Sequence, residues 1–95
     1  MSIVFTNGCF DILHRGHLEL LKYCKSIGST VIVGLNSDAS IKRLKGDNRP
    51  INKELDRKYF LECLKFVDKV IVFDEDTPYN LIKSLKPDLI IKGGD

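Results

Sequence analysis

The chain has no stretch approaching the roughly 20 consecutive apolar residues of a membrane-spanning helix, and no secretory leader pattern at its start. It has no internal repeat, no low-complexity tract and no linker. It also lacks a charge excess. Fifteen Lys and Arg against 13 Asp and Glu leave +2, too little to point to nucleic acid or a membrane surface. Cysteine is sparse. Cys9, Cys24 and Cys63 are odd in number and without metal or redox spacing, which reads as free thiols of a reducing compartment, with a cytoplasmic location expected. No G-x-G-x-x-G follows the first strand-like run, which argues against a dehydrogenase-type Rossmann domain. What remains is 95 residues, 43% hydrophobic and 29% charged. That is one small globular domain, near the lower end at which a single core is comfortable.

Four short apolar runs, Ser2–Thr6, Thr30–Leu35, Lys69–Phe73 and Asp88–Lys92, alternate with helical patterns. Val31-Ile32-Val33 and Leu89-Ile90-Ile91 are apolar on both faces, which suits a parallel sheet covered on each side. Helices are expected over Gly16–Ile27, Asp38–Lys45, Lys53–Phe66 and Pro78–Leu85. Ser37 and Asn52 read as N-caps, Thr77-Pro78 as an N-cap with Pro at the first helical position, and Gly28 and Gly46 as C-terminal stops. Cys24 and Cys63 fall on apolar stripes and are expected in the core. Alternation of this kind predicts right-handed crossovers and an α/β, doubly wound parallel sheet.

The densest chemistry lies at His14-Arg15-Gly16-His17, after a glycine-containing turn, Asn7-Gly8-Cys9-Phe10-Asp11, and at the head of a helix whose stripe is Leu20, Leu21, Cys24 and Ile27. The first N–H groups of a helix are unpaired, so a strand, a glycine turn and two imidazoles make an anion site. Residues three apart share a helical face, so both imidazoles should look toward the mouth of the sheet. The bland alternative is an incidental pair, one of them a helix cap. Gly8 permits a turn with positive φ, after which backbone N–H groups can cradle phosphate. Phe10 reads as a pocket wall or plain core, and Asp11 as a brace for the loop or a group touching the site. Asp38 sits at a strand's carboxyl end, where it meets a ribose or merely serves as a first-turn acid favoured by the helix dipole. Lys42, Arg43, Lys45 and Arg49 make a basic stretch, part of which a solvated helix face explains. Asp74, Glu75 and Asp76 admit metal binding, although helix-start electrostatics explain them without a ligand.

Val4–His17, VFTNGCFDILHRGH, resembles the signature of the HxGH nucleotidyltransferases, most closely the adenylyltransferase domain that makes ADP-heptose in bacteria. The resemblance continues through Val33–Ser40, Lys42–Gly46, Arg49–Asn52, Glu75–Pro78 and Lys92–Asp95, covering essentially the whole chain in order. It implies a Rossmann-like sheet in the order 3-2-1-4, with ligand at the switch beside strand one. It implies joining the α-phosphoryl of ATP to a sugar 1-phosphate of the heptose type, with release of pyrophosphate and with Mg²⁺. The alternatives are a CTP-dependent enzyme acting on glycerol 3-phosphate or a phosphorylated amino alcohol, and a non-catalytic nucleotide-binding or self-associating module. His14, His17 and Lys45 then carry catalysis. Gly8, Cys9, Phe10, Asp11, Gly16, Asp38, Gly93 and Asp95 bind nucleotide, and Arg57 resembles a family arginine. Family members continue past Lys92–Asp95 into a further strand and a Ser-Thr-Thr-type segment. The 1–95 domain is therefore expected to be C-terminally truncated, with the usual fifth strand absent. Leu89-Ile90-Ile91 would be left at an open edge, so a homodimer or other homo-oligomer with poor turnover is expected.

Overall fold

A computed structural model describes residues 2–93 of the chain. The elements run β1 (Ile3–Gly8), α1 (Arg15–Ile27), β2 (Thr30–Asn36), α2 (Asp38–Lys45), α3 (Glu54–Glu62), β3 (Lys69–Phe73), α4 (Tyr79–Leu85) and β4 (Leu89–Ile90). The strands form one parallel sheet in the order β3-β2-β1-β4. The order inferred from the resemblance is therefore the order found.

Strand alternation sets the core. Val31, Val33 and Leu35 of β2 are buried together with Val4 of β1, Val70 of β3, Leu21 and Cys24 of α1, and Leu61 of α3. Leu21, Leu35 and Leu61 have no exposed area, and each such side chain contributes roughly 1.5–3 kcal/mol by leaving water. Burial also pushes the Cys24 thiol up from its ordinary pKa, as suits an inert core thiol. Phe5 and Gly34 meet on neighbouring strands. A Cβ at Gly34 would lie 2.6 Å from the Phe5 ring, so the glycine makes room for the aromatic.

Several boundaries differ from expectation, each for a local reason. β1 runs on through Asn7 and Gly8, because these pair with Gly34 and Leu35. Among the described residues the only glycine at positive φ is Gly46, at 100°, where α2 ends; Gly8 is strand, not turn. α3 stops at Glu62 rather than Phe66, and Leu64, Phe66 and Val67 pack on the core from an irregular turn. Cys63 is consequently exposed at the helix end, not buried. The N-cap of α3 is Lys53 without a side-chain bond, because Asn52 turns to Asp11 instead. Pro78, not Thr77, caps α4, and no residue of that helix is buried. β4 is shorter than the Asp88–Lys92 expected, and Leu89 and Ile90 stay 42% and 46% exposed.

Candidate functional site

The carboxyl ends of β1 and β2 feed the loops that build the site. His14 is the N-cap of α1, with extended backbone, and its Nδ1 accepts from the Gly16 N–H at 3.0 Å. The His14 N–H donates in return to His17 Nδ1 at 3.2 Å. This is a capping box in which two imidazoles replace the usual hydroxyl and carboxamide. His14 is thus the helix cap that the bland alternative offered, and His17 is its partner in that cap. Because both Nδ1 atoms accept, the neutral rings carry their proton on Nε2, which makes Nε2–H the donor each can offer. The ring centroids lie 4.0 Å apart with a 32° tilt, and the Phe10 ring sits 5.1 Å from that of His17.

The tight bend between β1 and α1 falls at Phe10, with φ of 46°, rather than at Gly8. Phe10 is also core, at 5% exposure, so its ring anchors the loop while holding His17 in place. Gly8 serves by its missing side chain. A Cβ there would press on the Phe10 ring at 3.1 Å.

Asp11 and Arg57 lock this loop to its neighbours. The Asp11 carboxylate accepts from the N–H groups of Ile51 at 2.9 Å and Asn52 at 2.8 Å, and from Arg49 at 3.5 Å. Burial pushes its pKa up, but the two backbone N–H bonds and Arg49 together outweigh that, leaving it below the ordinary value. Asp11 is a brace. Arg57, which resembles a family arginine, is 1% exposed. It donates to the carbonyls of Asn52 at 2.9 Å, Cys9 at 2.9 Å and Asn36 at 2.7 Å, and pairs with Asp38 at 2.8 Å. That pairing sits in the first turn of α2, where the second of the two readings of Asp38 put it. Its carboxylate is committed to Arg57 and does not line the cavity, since the residue heads α2 rather than reaching over the strand ends.

The cavity measures about 820 Å³, enough for a nucleotide and a second small molecule. Gly8, Cys9, Phe10 and Asp11 line it from the β1–α1 loop, and His14, Gly16 and His17 from the head of α1. Lys45 and Gly93 join them from α2 and from beyond β4. Asp95 lies outside the described residues. Lys42 does not line the cavity, and Arg43 is held by the Asp74 carbonyl and by Asp76 at 3.0 Å. Asn7, Asn36 and Lys92 line it without having been singled out, and the signal available was their place at or just beyond strand ends; Arg49, the last of the basic stretch, lines it from the segment after α2. Both acids of the lining are already balanced, Asp11 by N–H groups and Asp76 by Arg43. Lys45, Arg49, Lys92 and the α1 N-terminus therefore leave the cavity suited to a polyanion. Among the described residues no three His, Cys, Asp or Glu side chains gather to hold a metal, so the donor set does not form a protein cage for Mg²⁺. No helix there is long and apolar enough to cross a membrane.

Residues 5–95 match the family model of cytidylyltransferase-like proteins, and the chain belongs to this family of nucleotidyltransferases. It is 63% identical, over 93 residues, to the bifunctional protein HldE of a Nitratiruptor species, covering 98% of this chain and 20% of that protein. To the HldE of Campylobacter fetus subsp. fetus it is 62% identical over 94 residues, covering 99% and 20%. The chain thus spans about a fifth of the length of these relatives. The crystal structure of a lipopolysaccharide core biosynthesis protein from Thermoplasma volcanium superposes with a TM-score of 0.84 at 37% identity, over 95% of this chain and 72% of that one.

Proposed function

We propose that the chain carries out nucleotidyl transfer, joining the α-phosphoryl of ATP to a sugar 1-phosphate of the heptose type. A phosphate oxygen of the sugar attacks the α-phosphorus. The bond to the β-phosphate oxygen breaks, and pyrophosphate leaves with its electron pair. The observation that carries this reading is the imidazole capping box, which brings both rings to a helix N-terminus in the wall of a cavity that Lys45, Arg49 and Lys92 also line. Charge develops on non-bridging and leaving oxygens in such a transfer, so preorganised donors serve better than a nucleophilic side chain. In this reading His14, His17 and Lys45 stabilise that charge, and the backbone of Gly8, Cys9, Phe10, Gly16 and Gly93 lies against the nucleotide. Mg²⁺ is proposed to arrive as the counter-ion of the triphosphate, the usual way this cation reaches a site that takes nucleoside triphosphates. The sugar and the preference for ATP rest on the likeness to HldE and to the ADP-heptose-forming domain, and on the lipopolysaccharide role named for the Thermoplasma protein.

The test offers ATP or CTP with D-glycero-β-D-manno-heptose 1-phosphate or glycerol 3-phosphate and resolves the nucleotide products by chromatography. ADP-heptose with equimolar pyrophosphate is expected. A cytidine product would overturn the nucleotide assignment, and no product from any pair would overturn the activity.

A further inference from the structure

We infer that Arg49 is a second phosphate-binding residue, one that takes the phosphomonoester of the acceptor rather than the nucleotide; this rests on the transfer reaction proposed above. The two arginines facing the β1–α1 loop are used in opposite ways. Arg57 is buried and spends its guanidinium on three carbonyls and Asp38. Arg49 lines the cavity with its side chain 45% exposed, and its guanidinium reaches Asp11 at 3.5 Å, the long limit of a hydrogen bond.

The backbone beneath Arg49 is nevertheless fixed. Its N–H donates to the Gly46 carbonyl at 3.2 Å, Pro50 is buried, and the next two N–H groups, of Ile51 and Asn52, grip the Asp11 carboxylate. The Asn52 side chain closes on the Asp11 carbonyl from the same side. Asp11 stays compensated by these bonds when the guanidinium leaves. Arg49 therefore has a rigid base and a weakly held head, so little ordering remains to be lost when it takes a ligand.

The choice of acceptor over nucleotide follows from charge and placement. The loop backbone and the imidazoles at the head of α1 form one anion site. Lys45 and Arg49 come from the end of α2 and the segment after it, a separate part of the chain. In-line attack brings a phosphomonoester dianion against a triphosphate, and that repulsion must be offset on the acceptor's own side. A guanidinium fork matches two oxygens of a phosphomonoester, which a lysine cannot do.

The test compares wild type with Arg49→Gln and Arg49→Lys, with Lys42→Ala as the control outside the cavity. α,β-Methylene-ATP is titrated first, and inorganic phosphate is then titrated beside the saturating analogue. Arg49→Gln is expected to weaken phosphate about tenfold or more, the scale of one charge-assisted bidentate contact. Arg49→Lys should recover part of that loss. The analogue should bind all variants within about twofold of wild type, at unchanged melting temperature. Phosphate affinity unaltered by Arg49→Gln would overturn the inference, as would an equal loss of the analogue or a wild type that takes no phosphate beside it. A phosphate effect in a chain that makes no ADP-heptose would instead refute the heptose reading and leave this one standing.

Discussion

Exchanging the imidazoles for groups that keep their hydrogen bonds separates what His14 and His17 do for α1 from what they do in the cavity. His14→Ala removes the acceptor of the Gly16 N–H, bonded at 3.0 Å. Losing an N-cap costs about 1 kcal/mol, which in a domain of this size lowers Tm by about 4–8 °C. His14→Asn supplies a favoured cap, and His17→Gln supplies the N3 carboxamide of an ordinary capping box, reaching back to the His14 N–H. Both should melt close to wild type. Neither can restore the ring Nε2–H, so each should lower kcat by on the order of 10²–10³, equivalent to about 2.7–4 kcal/mol of lost transition-state stabilisation. With ring centroids 4.0 Å apart the pair acts as a unit, and the double variant should lose less than the product of the single losses. Tm is read by circular dichroism and kcat by pyrophosphate release. His14→Asn at wild-type rate would refute the catalytic role, whereas His14→Ala at wild-type Tm would refute the capping one.

Arg57→Met should destabilise the fold by about 3–5 kcal/mol, since it strands the Asp38 carboxylate and three carbonyls that Arg57 now satisfies. Urea unfolding checks this, and a loss below about 1 kcal/mol would place the guanidinium outside the framework. Asp11→Asn should flatten the acid limb of stability. The folded carboxyl titrates below its unfolded value of about 3.9, so its contribution is full above that pH and is lost as pH falls through the lower folded value. Asp68, lowered chiefly by Lys25, remains in both proteins and acts in the same direction. Identical stability–pH curves below about pH 4 would contradict the bracing role given to Asp11.

The fold was legible because its signals are local. Strand and helix periods alternate cleanly, and Ser37 and Gly46 cap α2 as their residue types demand. Errors arose where tertiary contacts outbid a local pattern. Leu64 and Phe66 fall within the helix expected over Lys53–Phe66, yet the chain leaves the helix before them and drops them onto the core. Asn52 is a good cap by type, but Asp11 offers it two bonds from 41 residues away.

The site divides along the same line. His14-Arg15-Gly16-His17 lies within one turn, and its spacing of three is that of a capping box, so its geometry was open to reading from residue order alone. The parts that hold this turn in place were not. Arg57 is remote from the loop it locks, and nothing local distinguishes it from an arginine on a solvated helix face. Its burial follows from three carbonyls converging there, those of Cys9, Asn36 and Asn52, each from a different segment. Asp38 was left between two readings for the complementary reason. Its position at a strand end suggested a ligand, while the charge that claims it comes from 19 residues downstream. The residues of the imidazole cap are thus marked by one short motif. Those that fix the motif's backbone are marked only by where distant polar groups meet, and in this chain that meeting point is Arg57.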